Sequence, residues 1–336
     1  MRNQSLNIIH GELFANMCDY SLGDQAGLHN HFPNHHFEEA SAENRKLIEF
    51  LELVSSQPNE YRIVTIFIDT IRLAGLIPLN YKQADYQYLE KLVERNNLFK
   101  VIERFPRIKF IIFCHLEDTE IDSRVIPLIP KNVIAIHSTH AFATDSRIHV
   151  LPNGVQRPKT AQGHRDLEKY IGKRRKDYFR QGRTLFGYPQ SIYVNINTNT
   201  NLKRLELVSF FRSKKWAKVE NRVTYRKYLK RLHSFPFTLA PRGMALGDTH
   251  REWEALYIGS VPVIESTTYL QKLYKGIPVL FVEDFRELTK EHLQKEIHLV
   301  EQLRNLDLRT LDASRIFTNA LISSLNEKTT SSPGSI

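Results

Sequence analysis

The segment Phe235–Glu265, FPFTLAPRGMALGDTHREWEALYIGSVPVIE, gathers Arg242, Gly243, Gly247, Asp248, Arg251, Glu252 and Glu254 between two apolar runs. A helix that only filled a core would have no use for two arginines and two glutamates. FPFTLA reads as a buried strand, PRGMALGD as a loop, THREWEALYI as a helix and VPVIE as the next strand. Gly243 and Gly247 permit a tight turn or close approach of the backbone to a ligand. Asp248 stands where an N-cap belongs, and Gly259 where a helix stops. Arg242 then emerges at a strand end, Arg251 lies in the first helical turn, and Glu254, three residues on, shares its face. Ligands of open parallel sheets bind at strand carboxyl ends. A helix N-terminus there offers free N–H groups and partial positive charge to phosphate. This pattern fits a diphosphate on the arginines and a ribose diol on the Glu254 carboxylate. The same spacing also fits an ordinary surface pair of Arg251 and Glu254, worth about a few tenths of a kcal/mol.

Such a site needs strands to end beside it and helices to start there. Continuous apolar runs occur at 62–68, 108–114, 132–137, 191–196, 235–240, 261–265 and 278–282. Runs that do not alternate point to strands buried on both faces. Helical periods lie between them, in SAENRKLIEFLELVSS, DYQYLEKLVERNNLF, LKRLELVSFF, TYRKYLKRLH and THREWEALYIG. Strand and helix alternate, so the expected class is α/β with parallel sheets. At 336 residues the chain is long for one core, and LPNGVQRPKTAQG (151–163) has the composition of a connection.

Lys and Arg exceed Asp and Glu by 10, and the basic residues crowd into the stretch from Gly172 to Arg231. That field suits phosphorylated molecules or an anionic membrane surface, or is a set of solvated helix faces. Aromatic neighbours such as Trp216 and Tyr225 could stack on bases, but they fall into no nucleic-acid-binding motif, so no nucleic-acid partner is expected. Cys18 and Cys114 are the only cysteines, which fits a reducing compartment. No apolar run is long enough to span a bilayer.

The stretch SFPFTLAPRGMALGDTHREWEALYIGSVPVIE…YLQKLYKGIPVLFVEDFREL resembles the donor-binding half of exostosin-like glycosyltransferases. Those proteins carry PRG after a strand, then an Arg, an acidic residue, Ala, Gly and Ile/Val-Pro-Val. Glu254-Ala255, Gly259 and Val261-Pro262-Val263 match this pattern, which is also general among GT-B glycosyltransferases. The resemblance implies a GT-B fold, two Rossmann-like domains with parallel sheets facing across a cleft. It implies donor contacts from Arg242, Gly243, Asp248, Arg251 and Glu254, with Glu254 on the nucleotide ribose. YVNINTNTNLKR (193–204) is similar to the first strand and turn of the donor domain, which adds Asn197, Lys203 and Arg204. Leu246 stands where many retaining GT-B enzymes have a second acidic residue, so that part of the pattern is missing. The resemblance is dense over about 110 residues of the second half and thin over the first 150.

In such an architecture the first domain faces the acceptor and supplies the base of an inverting transfer. MCDYSLGDQAGLHNHF offers Asp24 first and Asp19 second, although aspartates in such a turn also serve as caps. His29, His31, His35 and His36 lack the spacings of a structural zinc site, and no metal is expected. His137 and His140 follow a strand and are further cleft candidates, more often structural.

The resulting expectation is a metal-independent glycosyltransferase without a cofactor. It would move a sugar from a nucleotide-diphosphate donor, UDP- or GDP-linked, to a hydroxyl of a glycan, lipid-linked or protein acceptor. Residues 1–155 would form the acceptor-side domain, 156–305 the donor domain, 306–325 a C-terminal helix packing on the first domain, and 326–336 a disordered tail. The alternatives are a GT-B sugar-nucleotide epimerase or phosphorylase, or a non-enzymatic basic polyanion-binding protein. With no signal or anchor read in the sequence, the expected location is cytoplasmic, with peripheral contact to an anionic membrane.

Overall fold

The computed structural model describes residues 6–22, 37–57, 62–68, 73, 97–115, 119–156, 163, 165–172, 191–199, 201–243 and 245–330. The chain forms two compact units. The N-terminal unit comprises Ile9–Pro152 and Asp312–Ile336, and the C-terminal unit Met1–Ile8 and Asn153–Leu311. The chain therefore passes between units at Ile8/Ile9, at Pro152/Asn153 and again at Leu311/Asp312.

The N-terminal sheet contains β1 (Tyr20–Ser21), β2 (Arg62–Ile68), β3 (Ile108–Cys114), β4 (Val133–Ser138) and β5 (Ile148–Val150), in that spatial order and parallel throughout. The runs RIVTIFI and IKFIIFC become β2 and β3. Both are covered on two faces, which is why their hydrophobicity does not alternate. Successive side chains still point to opposite faces. Val64, Ile66, Phe110 and Ile112 pack with Leu47 and Leu51 of α2 (Phe37–Ser56) and with Leu98 and Ile102 of α3 (Leu98–Ile102). On the other face Phe113 stacks on Phe14 of α1 (Gly11–Met17), with ring centroids 6.5 Å apart. It also stacks on Phe317 of the C-terminal helix Ala313–Thr330, at 4.6 Å. The chain end thus supplies a layer of the N-terminal unit.

His137 belongs to this layer and is a core histidine. It lies between Phe113 and His149, with centroids 5.0 Å and 4.8 Å away. The Ser324 hydroxyl donates to the Ala320 carbonyl at 2.7 Å, so His137 Nε2 is the donor in its 2.8 Å bond to Ser324 Oγ. Burial, reinforced by neighbouring His149, pushes the imidazole down to about 3, and it is neutral at ordinary pH.

The C-terminal sheet contains β6 (Ile192–Val194), β7 (Ala217–Val219), β8 (Phe237–Leu239), β9 (Val261–Glu265) and β10 (Leu280–Val282). All pairings are parallel and the order is β10-β9-β8-β6-β7. The chain leaves β6 to build β7 on one side, then returns to place β8 on the other. Helices α4 (Leu202–Arg212), α5 (Tyr225–Ser234) and α6 (His250–Ile258) make the crossovers. Helix α6 is buried along most of its length, with Trp253, Leu256 and Tyr257 in the core. It stops at Gly259, whose φ of 96° is open to glycine at little cost. Each unit is thus an α/β unit built on a parallel, five-stranded, Rossmann-like sheet. The short strands β1, β5 and β7 carry no apolar run and were not expected from the sequence. Among the described residues no helix is long and apolar enough to cross a membrane.

Replacing Phe317 by Ala removes the ring stacked on Phe113. The expected cost is about 3–5 kcal/mol, read as a lowered denaturant midpoint of the N-terminal unit followed through its own tyrosine and histidine signals.

Candidate functional site

The strand order reverses at β6, between its neighbours β7 and β8. Ligands of open parallel sheets bind beside such a reversal, outside the strand carboxyl ends. The segments that leave those ends are Asn195–Asn197 after β6 and Pro241–Gly243 after β8. One guanidinium ties them together. Arg204 donates from Nε to the Arg242 carbonyl at 2.8 Å, from Nη2 to Pro241 at 2.7 Å and from Nη1 to Asn197 at 3.2 Å. At 7% exposure its side chain is a clamp within the loops rather than a surface cation. Asn201 caps α4 by accepting the Lys203 N–H and donates from Nδ2 to the Gly243 carbonyl at 3.3 Å. Lys203 itself is exposed on the first turn of α4. The Asn197 side chain folds back to accept the Asn199 N–H at 3.1 Å.

The N-cap of α6 falls one residue later than the sequence indicated, on Thr249. The Asp248 carboxylate is buried and already held by strong donors. Its Oδ2 accepts from Trp253 Nε1 at 2.6 Å and from the Asn153 N–H at 2.8 Å, and its Oδ1 from Tyr269 at 3.3 Å. Asp248 therefore fixes the first residue of the Asn153–Leu311 segment against the helix start. His250 Nδ1 lies 2.8 Å from the Gly154 carbonyl and holds the next residue. Glu252 completes the cap. It accepts from the Thr249 N–H and hydroxyl and, at 2.5 Å, from the Tyr274 hydroxyl. Burial, with the Asp248 charge beside it, pushes the Glu252 carboxyl up to about 8.

Arg242, Arg251 and Glu254 surround this helix start and the strand ends. Arg242 Nε lies 3.6 Å from Glu265 Oε2 at the end of β9, with about a third of each side chain exposed. Arg251 donates to the Asn195 carbonyl and sets its guanidinium carbon 5.7 Å from the centre of the Tyr228 ring. Glu254 is 6% exposed. Its Oε2 accepts from Tyr228 at 2.8 Å and its Oε1 from Tyr225 at 3.4 Å. Burial raises its pKa, while Tyr228, Arg251 and His250 oppose the rise. The structure thus supports more than an exposed Arg251–Glu254 pair, since Tyr228 touches both.

The acceptor-side candidates stand apart from this cluster in the chain. Asp24 lies outside the described residues, as do His29, His31, His35 and His36. Asp19 is exposed just before β1, and its Oδ2 accepts from the Thr65 N–H and hydroxyl, both at 2.8 Å. That carboxylate helps seat β1 against β2. Tyr225, Tyr228, Glu265 and Asn195 were not expected as site residues. The spacing of Tyr225 and Tyr228, which puts two phenols on one helix face, was the available signal for that pair. Nothing in the sequence links Asn195 or Glu265 to their arginines.

Residues 190–311 match the family model of the RXYLT1 C-terminal domain, an exostosin-related xylosyltransferase family. Those residues contain Arg204, Arg242, Asp248, Arg251 and Glu254 with their tyrosine partners, but not Asn153 and Gly154. Residues 190–311 are thus similar to a glycosyltransferase domain. No curated protein matches the chain in sequence. Among solved structures, the catalytic domain of starch synthase IV from Arabidopsis thaliana, bound to ADP and acarbose, is similar at a TM-score of 0.37 and 10% identity. That alignment covers 91% of this chain and 79% of the other. An alpha,alpha-trehalose 6-phosphate synthase from Burkholderia multivorans is similar at 0.35 and 9% identity, over 89% and 78%. Within residues 190–311 the candidates named from the sequence fall into three kinds. Arg242, Arg251 and Glu254 flank the strand ends. Arg204 and Asp248 hold the surrounding backbone. Asn197 and Lys203 mark the turn into α4.

The Glu252 carboxyl makes stability depend on pH. The folded chain keeps its proton up to about 8, whereas the unfolded chain loses it near 4.5. This stabilisation is complete below the unfolded value and is lost as pH rises through the folded one, at up to ~1.4 kcal/mol per pH unit. Glu254 is shifted in the same direction and adds to the slope. Melting temperature should therefore fall between pH 5 and pH 8, and fall less steeply in Glu252→Gln.

Proposed function

We propose that the chain transfers a sugar from a nucleotide-diphosphate donor to an acceptor hydroxyl, with inversion, and that the C-terminal unit grips the donor. The observation that carries this reading is the buried Glu254 carboxylate. It sits on the same helix as Arg251, beside a strand-order reversal, inside a matched glycosyltransferase domain. A buried carboxylate is costly to keep unless it serves a partner, and a ribose diol is a fitting one. On this proposal Arg242 and Arg251 meet the diphosphate, and Lys203 adds charge from the first turn of α4. These cations stabilise the negative charge that grows on the diphosphate as its bond to the anomeric carbon breaks. Neutralisation by arginine and lysine is a role that a divalent cation serves elsewhere, so the proposed transfer is metal-independent.

The acceptor oxygen forms the new bond to the anomeric carbon while a base takes its proton. Asp24 is the proposed base. Asp19 is the second choice because its Oδ2 is already engaged by Thr65. The donor is proposed to be UDP- or GDP-linked, with a glycan, lipid-linked or protein acceptor. Location in the cytoplasm and contact with an anionic leaflet through the basic stretch 173–183 complete the proposal.

Calorimetry with UDP and GDP tests the donor grip. Arg251→Ala and Glu254→Ala should each weaken binding of the preferred nucleotide about tenfold or more, as expected for a hydrogen bond to a charged group. Undiminished affinity in both variants would sink the assignment. A screen of UDP- and GDP-sugars for slow hydrolysis identifies the donor, and release of sugar by the wild type but not by Arg251→Ala is the expected result.

A further inference from the structure

We infer that Tyr228 is the positioning residue of the ribose carboxylate, and that the Tyr225 hydroxyl holds the place that a ribose hydroxyl takes when nucleotide binds. The inference rests on the reading of Glu254 as the ribose-binding group. Tyr225 and Tyr228 stand three residues apart on α5, so both phenols face α6 from one side. Their bonds to Glu254 are unequal. Tyr228 is buried and donates to Oε2 at 2.8 Å. Tyr225 is half-buried and donates to Oε1 at 3.4 Å, near the outer limit for a hydrogen bond.

Tyr228 also carries Arg251 across its ring face at 5.7 Å, and its ring lies 6.3 Å from that of Tyr193 in the core. One fixed side chain therefore sets both the carboxylate and the cation. Without its hydroxyl, Oε2 loses its donor inside a buried site and the carboxylate is free to turn. Tyr225 is held more loosely: it is half-buried, and its ring lies 6.2 Å from that of Tyr228. Its oxygen shows where a hydroxyl donor sits against Oε1. A ribose hydroxyl there makes a shorter, charge-assisted bond. Nucleotide binding then exchanges one donor for another, and the buried carboxylate keeps a partner on each oxygen in both states. An unsatisfied buried carboxylate oxygen would be expensive.

The test reads Kd by calorimetry for UDP and GDP and for their 2′-deoxy and 3′-deoxy forms. The quantity is the larger ratio of deoxy to ribo affinity for the preferred base. A lost hydrogen bond to a charged group is worth about 10–100-fold in that ratio for the wild type. Tyr228→Phe should cut it to about threefold or less while the circular dichroism spectrum stays native. Tyr225→Phe should widen it about threefold, because the ribose hydroxyl no longer displaces a phenol. Glu254→Gln is the reference. If Glu254→Gln collapses the ratio and Tyr228→Phe leaves it intact, the positioning role is wrong while the ribose site stands. If Glu254→Gln also leaves it intact, the ribose reading itself fails. Should Tyr228→Phe not fold, Tyr225→Phe decides: a narrowed ratio makes Tyr225 a fixed donor and overturns the exchange.

Discussion

One guanidinium joins the two loops that open where the strand order reverses. Arg204 binds three carbonyls from the segments after β6 and β8, and it does so from inside the unit. Those carbonyls lie beyond the last ladder bonds of their strands and need donors once water is excluded. A lysine could not replace the planar fork, which reaches three acceptors in one plane. The positions of Arg242 and Gly243, and the cap of α4 that reaches Gly243 through Asn201, follow from this clamp. The backbone that would meet a diphosphate is therefore held before any ligand arrives, which lowers the ordering cost of binding.

A second constraint is the burial of carboxylates. Asp248, Glu252 and Glu254 are all buried, on or beside one helix. Each has a distinct partner set. Asp248 holds the backbone at Asn153, Glu252 closes the helix cap with Tyr274, and Glu254 takes two phenols. Tyrosine is well suited to such work, because it brings apolar bulk and one donor together. The helix start can thus remain dry and still carry charge on the side that faces the strand ends. The same arrangement makes the domain sensitive to pH, since Glu252 keeps its proton where the unfolded chain would ionise it.

Much of the fold was legible in the sequence because buried parallel strands read as unbroken apolar runs. The segments 62–68, 108–114 and 261–265 became strands with those bounds. Strands such as β5 and β7 were not legible. Their residues are partly polar and they pair along one edge, so their extension comes from a neighbour and not from their own pattern. Asp248 looked like a cap because aspartate often is one before a helix. Its carboxylate instead meets the nearby Trp253 indole and a backbone amide from residue 153, and that second, distant donor decides its role.

By itself the sequence determined the α/β class, the parallel strands, the glycine stop of α6 and the helix that carries Arg251 and Glu254. All of these are local: they depend on runs, spacings and backbone preferences within one segment. The tertiary structure decided which charges remain available and which hold the frame. Arg204 and Arg251 are alike in sequence, yet one binds loop carbonyls in the interior while the other lies over a tyrosine beside a carboxylate. That difference arises from contacts between residues 26 to 56 positions apart. No local pattern encodes such contacts, because a hydrogen bond reports only where two segments meet in space.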